Sequence, residues 1–262
     1  MSIKIIGTGH ILQKSVDEVR KAIAEEKPEI VAVELDAQRF NALESAGWDL
    51  NQDRDGFSWK GASFPVLFRR FLGKIQMELG EKLGVSAGSD MKAAVFAARS
   101  VNAKLALIDR DIELTMNHLL SVPFREKINL LALSPEVDVM NIDNIIDGEN
   151  IDKIMDEMKT KVPGIYSALV DERDQYMAYM IAQLRHEHPC ANIIAVVGAG
   201  HKRGIEKHLQ ILYEIDMQKI MNMRKTSPLQ IIPLVFVVFV AYVLMKIWFS
   251  SHPVRKSLHM TR

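Results

Sequence analysis

The alternation of apolar runs and amphipathic stretches along the first two hundred residues predicts an α/β fold. Four short runs rich in Ile, Val and Ala are typical of buried strands, and the stretches between them repeat apolar residues at helical spacing. Strands that alternate with helices form a mostly parallel central sheet with helices on both sides. The predicted strands cover residues 3–6, 30–33, 104–108 and 192–197, and the clearest predicted helices cover 15–27, 89–102, 165–186 and 204–221.

The first and last predicted strands end in the same phrase. The chain reads Gly7-Thr8-Gly9-His10 after one strand and Gly198-Ala199-Gly200-His201 after the other. Ligands of parallel sheets bind outside the carboxyl ends of the strands, so we expect both histidines to face one crevice. A phosphate-binding Gly-x-Gly-x-x-Gly loop is the competing interpretation. Neither copy completes it, because Leu12 and Arg203 take the place of the third glycine.

Charged residues follow the two other predicted strands. Glu34 ends one of them, with Asp36 and Arg39 in the next turn, and the other leads into Asp109-Arg110-Asp111. Because βαβ crossovers are right-handed, parallel strands place Glu34 at the same edge of the sheet as His10. Alternatively, Glu34 caps the following helix or pairs with Arg39.

Two further polar groups leave a structural and a functional interpretation open. Ser89 and Asp90 begin an alanine-rich helix, where they either cap the helix or contribute to the site. Asp171-Glu172-Arg173-Asp174 lies on the long helix predicted over 165–186. Such a block of charges is typical of a solvated helix face, but the apolar residues that follow it also fit the border of a partly buried site.

Composition narrows the possible chemistry. Basic and acidic residues number 33 each, so the net charge is zero and a nucleic-acid partner is not expected. A single cysteine, Cys190, excludes an internal disulfide and a cysteine-rich zinc site. If a metal binds, its ligands are therefore expected to be histidines and carboxylates.

The C-terminal part of the chain predicts a membrane anchor. Residues 229–249 are almost entirely apolar and long enough to cross a bilayer, and Lys246 near one end can reach the interface. We therefore expect one domain over 1–222, a linker over 223–228, a transmembrane helix over 229–249 and a basic tail over 250–262. The N-terminus lacks the features of a secretory signal, which favours a cytoplasmic domain on a single-pass membrane protein.

In their order along the chain, these motifs resemble the TraB/PrgY family, which is related to the Tiki proteins and more distantly to the erythromycin-esterase and ChaN-like group. The resemblance implies an α/β core with paired Gly-x-x-His motifs. For Tiki proteins it implies metal-dependent cleavage of peptide bonds, and for the TraB/PrgY branch a membrane protein that limits pheromone-peptide signalling. The matching segments, from about residue 3 to 210, are 7–10, 34–36 with Arg39, 88–91, 109–112, 171–174 with Tyr176-Met177, and 198–201 with Gly204-Ile205.

The leading hypothesis is a metal-dependent hydrolase of peptides. His10, Glu34 and His201 would hold a divalent cation, whose identity the ligand types leave open among zinc, manganese, cobalt and iron. The remaining charged residues are assigned two roles. Asp36, Asp109 or Glu172 would act as general base, and Arg39, Arg110 or Arg173 would bind a substrate carboxylate or stabilise an oxyanion, while Ser89, Asp90, Asp111 and Asp174 would contact the substrate.

The sequence leaves two alternatives to the metal-dependent hydrolase. A membrane-tethered protein could capture a peptide or another small molecule without cleaving it, or a metal-free hydrolase could use His10 as general base. Assembly into a homo-oligomer is also left open.

Overall fold

A four-stranded parallel sheet forms the centre of the protein. The computed structural model describes residues 2–8, 13–45, 47–48, 88–129 and 148–224. The strands are β1 (Ile3–Thr8), β2 (Ile30–Val33), β3 (Lys104–Leu107) and β4 (Ile193–Gly198), in the spatial order β1-β4-β2-β3 with every pairing parallel. The predicted α/β class is confirmed.

Helices connect and flank these strands. Before β3 the chain forms α1 (Gln13–Glu26), α2 (Ala37–Ser45) and α3 (Ser89–Ser100). Between β3 and β4 lie α4 (Ile112–Ser121), α5 (Phe124–Asn129), α6 (Gly148–Lys161), α7 (Pro163–Tyr166), a π-helical turn (Ser167–Asp171) and α8 (Glu172–Glu187). After β4 come α9 (Ala199–Gln210), a 3₁₀ turn (Leu212–Glu214) and α10 (Met217–Met221).

Both faces of the sheet are buried, which explains the uninterrupted apolar runs in the sequence. Every residue of β2 and β4 is buried. Successive side chains of a strand point to opposite faces, so each run supplies two cores. Val31 and Val196 pack with α1 and α3 on one face, whereas Ala32 and Val197 pack with α8 and α9 on the other. Helices on both sides of the sheet are thus confirmed.

The two strands that carry the repeated glycine motif are neighbours. Gly7 lies opposite Val197 and Thr8 opposite Gly198, so β1 and β4 end side by side. This adjacency was predicted from the shared motif and is confirmed. Gly9 and His10 lie outside the described residues, so the approach of His10 to His201 stays a prediction.

Two helix predictions need correction. The last helix was predicted to begin at Gly204, but α9 already begins at Ala199, which puts His201 in its first turn, and the region predicted as one helix to residue 221 is split into three pieces. Gly198 and Gly200 lower helix propensity and so concealed this start. The long helix predicted from residue 165 begins at Pro163 and contains the π-helical turn.

The predicted membrane span at 229–249 lies outside the described residues, as do the basic tail and most of the linker. Within the part of the chain that the structure describes, no helix combines the length and apolar character needed to cross a bilayer.

Candidate functional site

A cluster of charged side chains lies at the carboxyl edge of the sheet, with Arg173 at its centre. Glu34 directly follows β2, Asp109 is the second residue after β3, and His201 comes from the first turn of α9. Arg173, in the first turn of α8, reaches all three. Its Nε donates to Asp109 Oδ1 at 3.0 Å, its Nη2 donates to Asp109 Oδ2 at 2.8 Å and to Glu34 Oε1, and its Nη1 lies 3.0 Å from His201 Nε2. We call Glu34, Asp36, Arg39, Asp109, Arg173, Asp174 and His201 the edge cluster.

Arg173 is charged at every physiological pH. Burial by itself lowers the pKa of its guanidinium, but the charges of Asp109 and Glu34 and their hydrogen bonds more than offset this, so the net shift is upward. The prediction of a partly buried site at this helix is consistent with the burial of Glu172 and Asp174, since neither lies on a solvated face.

His201 is oriented by Asp174. Its Nδ1 lies 2.6 Å from Asp174 Oδ1, so the hydrogen-bond network places the proton on Nδ1 and leaves Nε2 as the acceptor that faces Arg173 Nη1. Burial raises the pKa of Asp174 to about 6, an effect partly opposed by His201 and Arg173. Asp174 is therefore mainly ionised at neutral pH and begins to lose its charge just below it.

Gly204 makes this pairing possible. A Cβ atom at position 204 would lie 1.9 Å from Asp174 Oδ2 and 2.7 Å from its Cγ. Those separations are far below any van der Waals contact, so only glycine lets the Asp174 carboxylate lie against α9. Sequence reasoning assigned Asp174 to substrate binding and gave Gly204 no role.

Glu34 is fixed by the end of the neighbouring strand. The Gly198 N–H donates to Glu34 Oε2 at 2.6 Å, and Glu34 Oε1 lies 3.4 Å from His201 Nε2. The second glycine motif therefore contributes a backbone donor as well as a histidine to the site.

Arg39 forms the outer part of the edge cluster. Its Nε lies 3.3 Å from Asp36 Oδ2, its Nη1 lies 3.3 Å from Asp109 Oδ2, and its Nη2 donates to the Glu34 carbonyl oxygen. The Arg39 side chain is 29% exposed, against 5% for Asp36 and 1% for Asp109. Arg39 is thus the charged group of the edge cluster most open to an arriving ligand. Asp36 also accepts the Arg39 N–H at 2.9 Å, so it caps α2 as well.

Asp90 and Asp111, at the start of α3 and α4, each combine a local backbone contact with a contact to a distant part of the chain. Asp90 is buried, bonds to the Thr8 hydroxyl at the end of β1 and accepts the Met91 N–H at 2.9 Å. Ser89 Oγ is buried and has no hydrogen-bond partner in the described parts of the chain. Asp111 caps α4 by accepting the Glu113 N–H at 2.7 Å, and it also accepts from Gln38.

Arg110 and Glu172 do not belong to the edge cluster. They form a second group, the Glu172 cluster, with His118 and Arg224, and its members are buried except for the partly exposed Arg224. Arg110 is 1% exposed and Glu172 is 5% exposed, and their side chains meet at 2.7 Å. Burial alone would raise the pKa of Glu172, but its bonds to Arg110 and His118 outweigh this and lower it. Both oxygens of Glu172 are occupied, so the structure offers no support for Glu172 as general base or for Arg110 as a substrate ligand.

Two of the three predicted metal ligands, Glu34 and His201, lie together, and the third, His10, lies outside the described residues. Within the described ranges no group of three or more His, Cys, Asp or Glu side chains is placed to hold an ion. The Arg173 guanidinium instead bonds to both Glu34 Oε1 and His201 Nε2.

Comparison with known proteins places this chain in a family. An uncharacterized protein of Methanocaldococcus jannaschii is 34% identical, in an alignment that covers 85% of this chain and 58% of that protein. The human and mouse TraB domain-containing proteins are each 27% identical, with 86% of this chain and 66% of the relative covered. The chain thus spans less than two thirds of the length of these relatives. The model of the TraB/PrgY/gumN family matches residues 2–218, which include every residue of the edge cluster, and the chain therefore belongs to the TraB/PrgY/gumN family.

Proposed function

We propose that the protein is a membrane-anchored, metal-dependent hydrolase that acts on peptides, with the edge cluster as its active site. The observation that carries this proposal is the arrangement of His201 and Glu34. Their facing atoms lie 3.4 Å apart, and Asp174 holds the other nitrogen of the His201 ring. A carboxylate behind a histidine is the usual support of a metal-ligating imidazole.

The spacing of the two donor atoms fits a shared ion. Two ligands about 2.1 Å from a tetrahedral ion lie roughly 3.4 Å from each other. His201 Nε2 and Glu34 Oε1 have this separation, and the Arg173 guanidinium that now bonds to both atoms would move aside when the ion binds. His10, which follows β1 next to β4, is the proposed third ligand.

The charge of the edge cluster supports the same conclusion. Among the described residues, its four carboxylates lie beside two guanidinium groups, those of Arg39 and Arg173. A divalent cation would be attracted to a site in which the described carboxylates outnumber the guanidinium groups.

Each remaining residue of the edge cluster has a proposed role. The bound metal would supply a water of lowered pKa. Asp36 is the favoured general base, because its Oδ2 has no hydrogen-bond partner among the described residues, although it lies in an ion pair with Arg39. Both oxygens of Asp109 bond to Arg173, which suits a positioning role. Arg39, at the solvent side, would bind a substrate carboxylate.

A second candidate is a metal-independent hydrolase with His201 as general base. The position of Arg173 favours it, since a guanidinium already bridges Glu34 and His201, where the ion would bind. In this alternative Asp174 orients the His201 ring, which is the role that the aspartate of a Ser-His-Asp catalytic triad has toward its histidine.

Chelation separates the two candidates. We expect the full-length protein to hydrolyse members of a peptide library, to lose this activity with a chelator and to regain it with manganese, cobalt, zinc or iron. His201→Ala should lose bound metal and lower turnover roughly 100-fold or more, because a ligand is missing. His208→Ala is the matched control, since His208 lies on the same helix and pairs with Asp171 outside the edge cluster, and it should stay within a few-fold of wild type.

Other outcomes of this experiment have clear meanings. Turnover that survives chelation but not His201→Ala would reject the metal and support the second candidate. Peptide binding without any cleavage would reject both and leave the capture hypothesis.

Removal of residues 227–262 tests the proposed anchor. We expect the full chain to fractionate with membranes, with its domain on the cytoplasmic side, and the truncated chain to be soluble and folded. The reason is that the last strand and its covering helix are complete before residue 227, and the chain up to Arg224 is bound to the domain. Loss of the folded circular dichroism spectrum on truncation would show that this segment belongs to the core.

A further inference from the structure

We propose that residues 220–224 maintain the geometry of the edge cluster through their contacts with the Glu172 cluster. This inference rests on the edge cluster being the active site. The segment follows α9 and leads directly toward the predicted anchor, so a positioning role would connect the catalytic groups to whatever holds the C-terminal part of the chain.

Residues 220–224 are held by polar contacts to two buried side chains, Arg110 and His118, and to the half-buried Asn117. The carbonyl oxygen of Ile220 accepts from Arg110 Nη1 at 3.3 Å, and that of Asn222 lies 2.8 Å from His118 Nε2. Asn117 binds the backbone of Arg224 twice, accepting its N–H at 2.7 Å and donating to its carbonyl oxygen at 3.1 Å. The segment is therefore docked in a defined position.

The Arg224 side chain completes the Glu172 cluster. Its Nη2 donates to Glu172 Oε1, which also accepts from Ser167 Oγ at 3.2 Å. The other oxygen, Oε2, faces Arg110 at 2.7 Å and His118 at 2.5 Å. One buried carboxylate thus joins the C-terminal segment to α4 and to the π-helical turn.

The Glu172 cluster and the edge cluster are adjacent in the chain at two places. Asp109 and Arg173 form an ion pair in the edge cluster. Their chain neighbours Arg110, which follows Asp109, and Glu172, which precedes Arg173, form an ion pair in the Glu172 cluster. Two ion pairs back to back thus join the end of β3 to the start of α8. A shift of Glu172 is therefore transmitted through one peptide unit to Arg173, and through the next to Asp174.

The π-helical turn makes this part of the helix dependent on its partners. Such turns interrupt the regular hydrogen-bond pattern and are frequent at functional sites. Arg110 Nη2 donates to the Ala168 carbonyl oxygen at 3.0 Å and Arg173 Nη1 donates to that of Leu169 at 3.2 Å, so one arginine from each cluster holds the turn. Loss of the contacts on the Glu172 side should therefore loosen the turn that places Arg173.

Arg224→Met in the full-length protein tests this inference. Arg99→Met is the matched control, because Arg99 is also a partly exposed arginine paired with one glutamate, Glu44, away from both clusters. We expect Arg224→Met to raise hydrogen exchange at residues 167–174 about 10-fold and to lower kcat about 10-fold, with KM and the exchange of the sheet little changed. Arg224→Lys should restore most of both effects, and Arg99→Met should show neither.

An increase in hydrogen exchange that is confined to residues 220–224, with the exchange of residues 167–174 and kcat unchanged, would overturn the inference. The segment would then be docked without affecting the position of Arg173. If Arg224→Met does not fold, Asn117→Ala releases the same segment without touching Glu172 and is expected to give the same two changes. Hydrogen exchange requires no activity, so a protein without hydrolase activity would reject the proposed function while this readout still decides the coupling.

Discussion

Replacing Gly204 by alanine is expected to abolish hydrolysis and to destabilise the fold by about 1–3 kcal/mol, the usual cost of overpacking. The added methyl group would fall 1.9 Å from Asp174 Oδ2, so the carboxylate must leave its position beside His201. Without that partner the His201 ring loses its fixed orientation. Turnover and chemical denaturation of the same preparation would measure both effects.

A double-variant cycle shows whether the effect passes through Asp174. Asp174→Ala removes the atoms that clash, so Gly204→Ala should cost much less stability in that background than in the wild type. The stability losses of the two single variants should therefore be distinctly non-additive, as is typical of residues in contact. Additive losses would mean that Gly204→Ala acts elsewhere. The double variant should remain inactive in either case, since His201 still lacks its partner.

Arg173→Met should have the largest effect on stability, about 3–5 kcal/mol, because it leaves Glu34 and Asp109 as buried charges without their main partner. Activity should be lost together with the geometry of the edge cluster. Arg173→Lys is the informative comparison. It keeps the charge but not the planar fork, so it should recover part of the stability and little of the activity.

The sheet, and the part of the site that contains Glu34 and His201, could be predicted because both depend on local sequence patterns. A strand buried on both faces must be apolar at successive positions, as β2 and β4 are. Parallel strands also end at one edge, which brings Glu34 and His201 together although 166 intervening residues separate them in sequence. For these two residues, the predicted fold class was sufficient to predict that they lie close together.

The separation of Glu172 from Arg173 could not be predicted in the same way. Which side chain of a charged block faces a site depends on the phase of the helix, and a π-helical turn that ends at Asp171, the first residue of the block, shifts that phase. The pairing of Asp174 with His201 depends on how α8 packs against α9, which a pattern of single residues does not encode. Arg110 likewise follows Asp109 directly but points into the other cluster.

The strand order has a consequence for how the protein is made. β4 lies between β1 and β2, yet it is the last of the four strands to leave the ribosome. Until then β1 and β2 have no common partner, and pairings this distant in sequence form slowly. Nascent chains that end before residue 193 would expose unpaired apolar strand edges, which invite aggregation. The edge cluster cannot assemble before α9 follows, so every shorter chain lacks the complete edge cluster and is a candidate for chaperone binding.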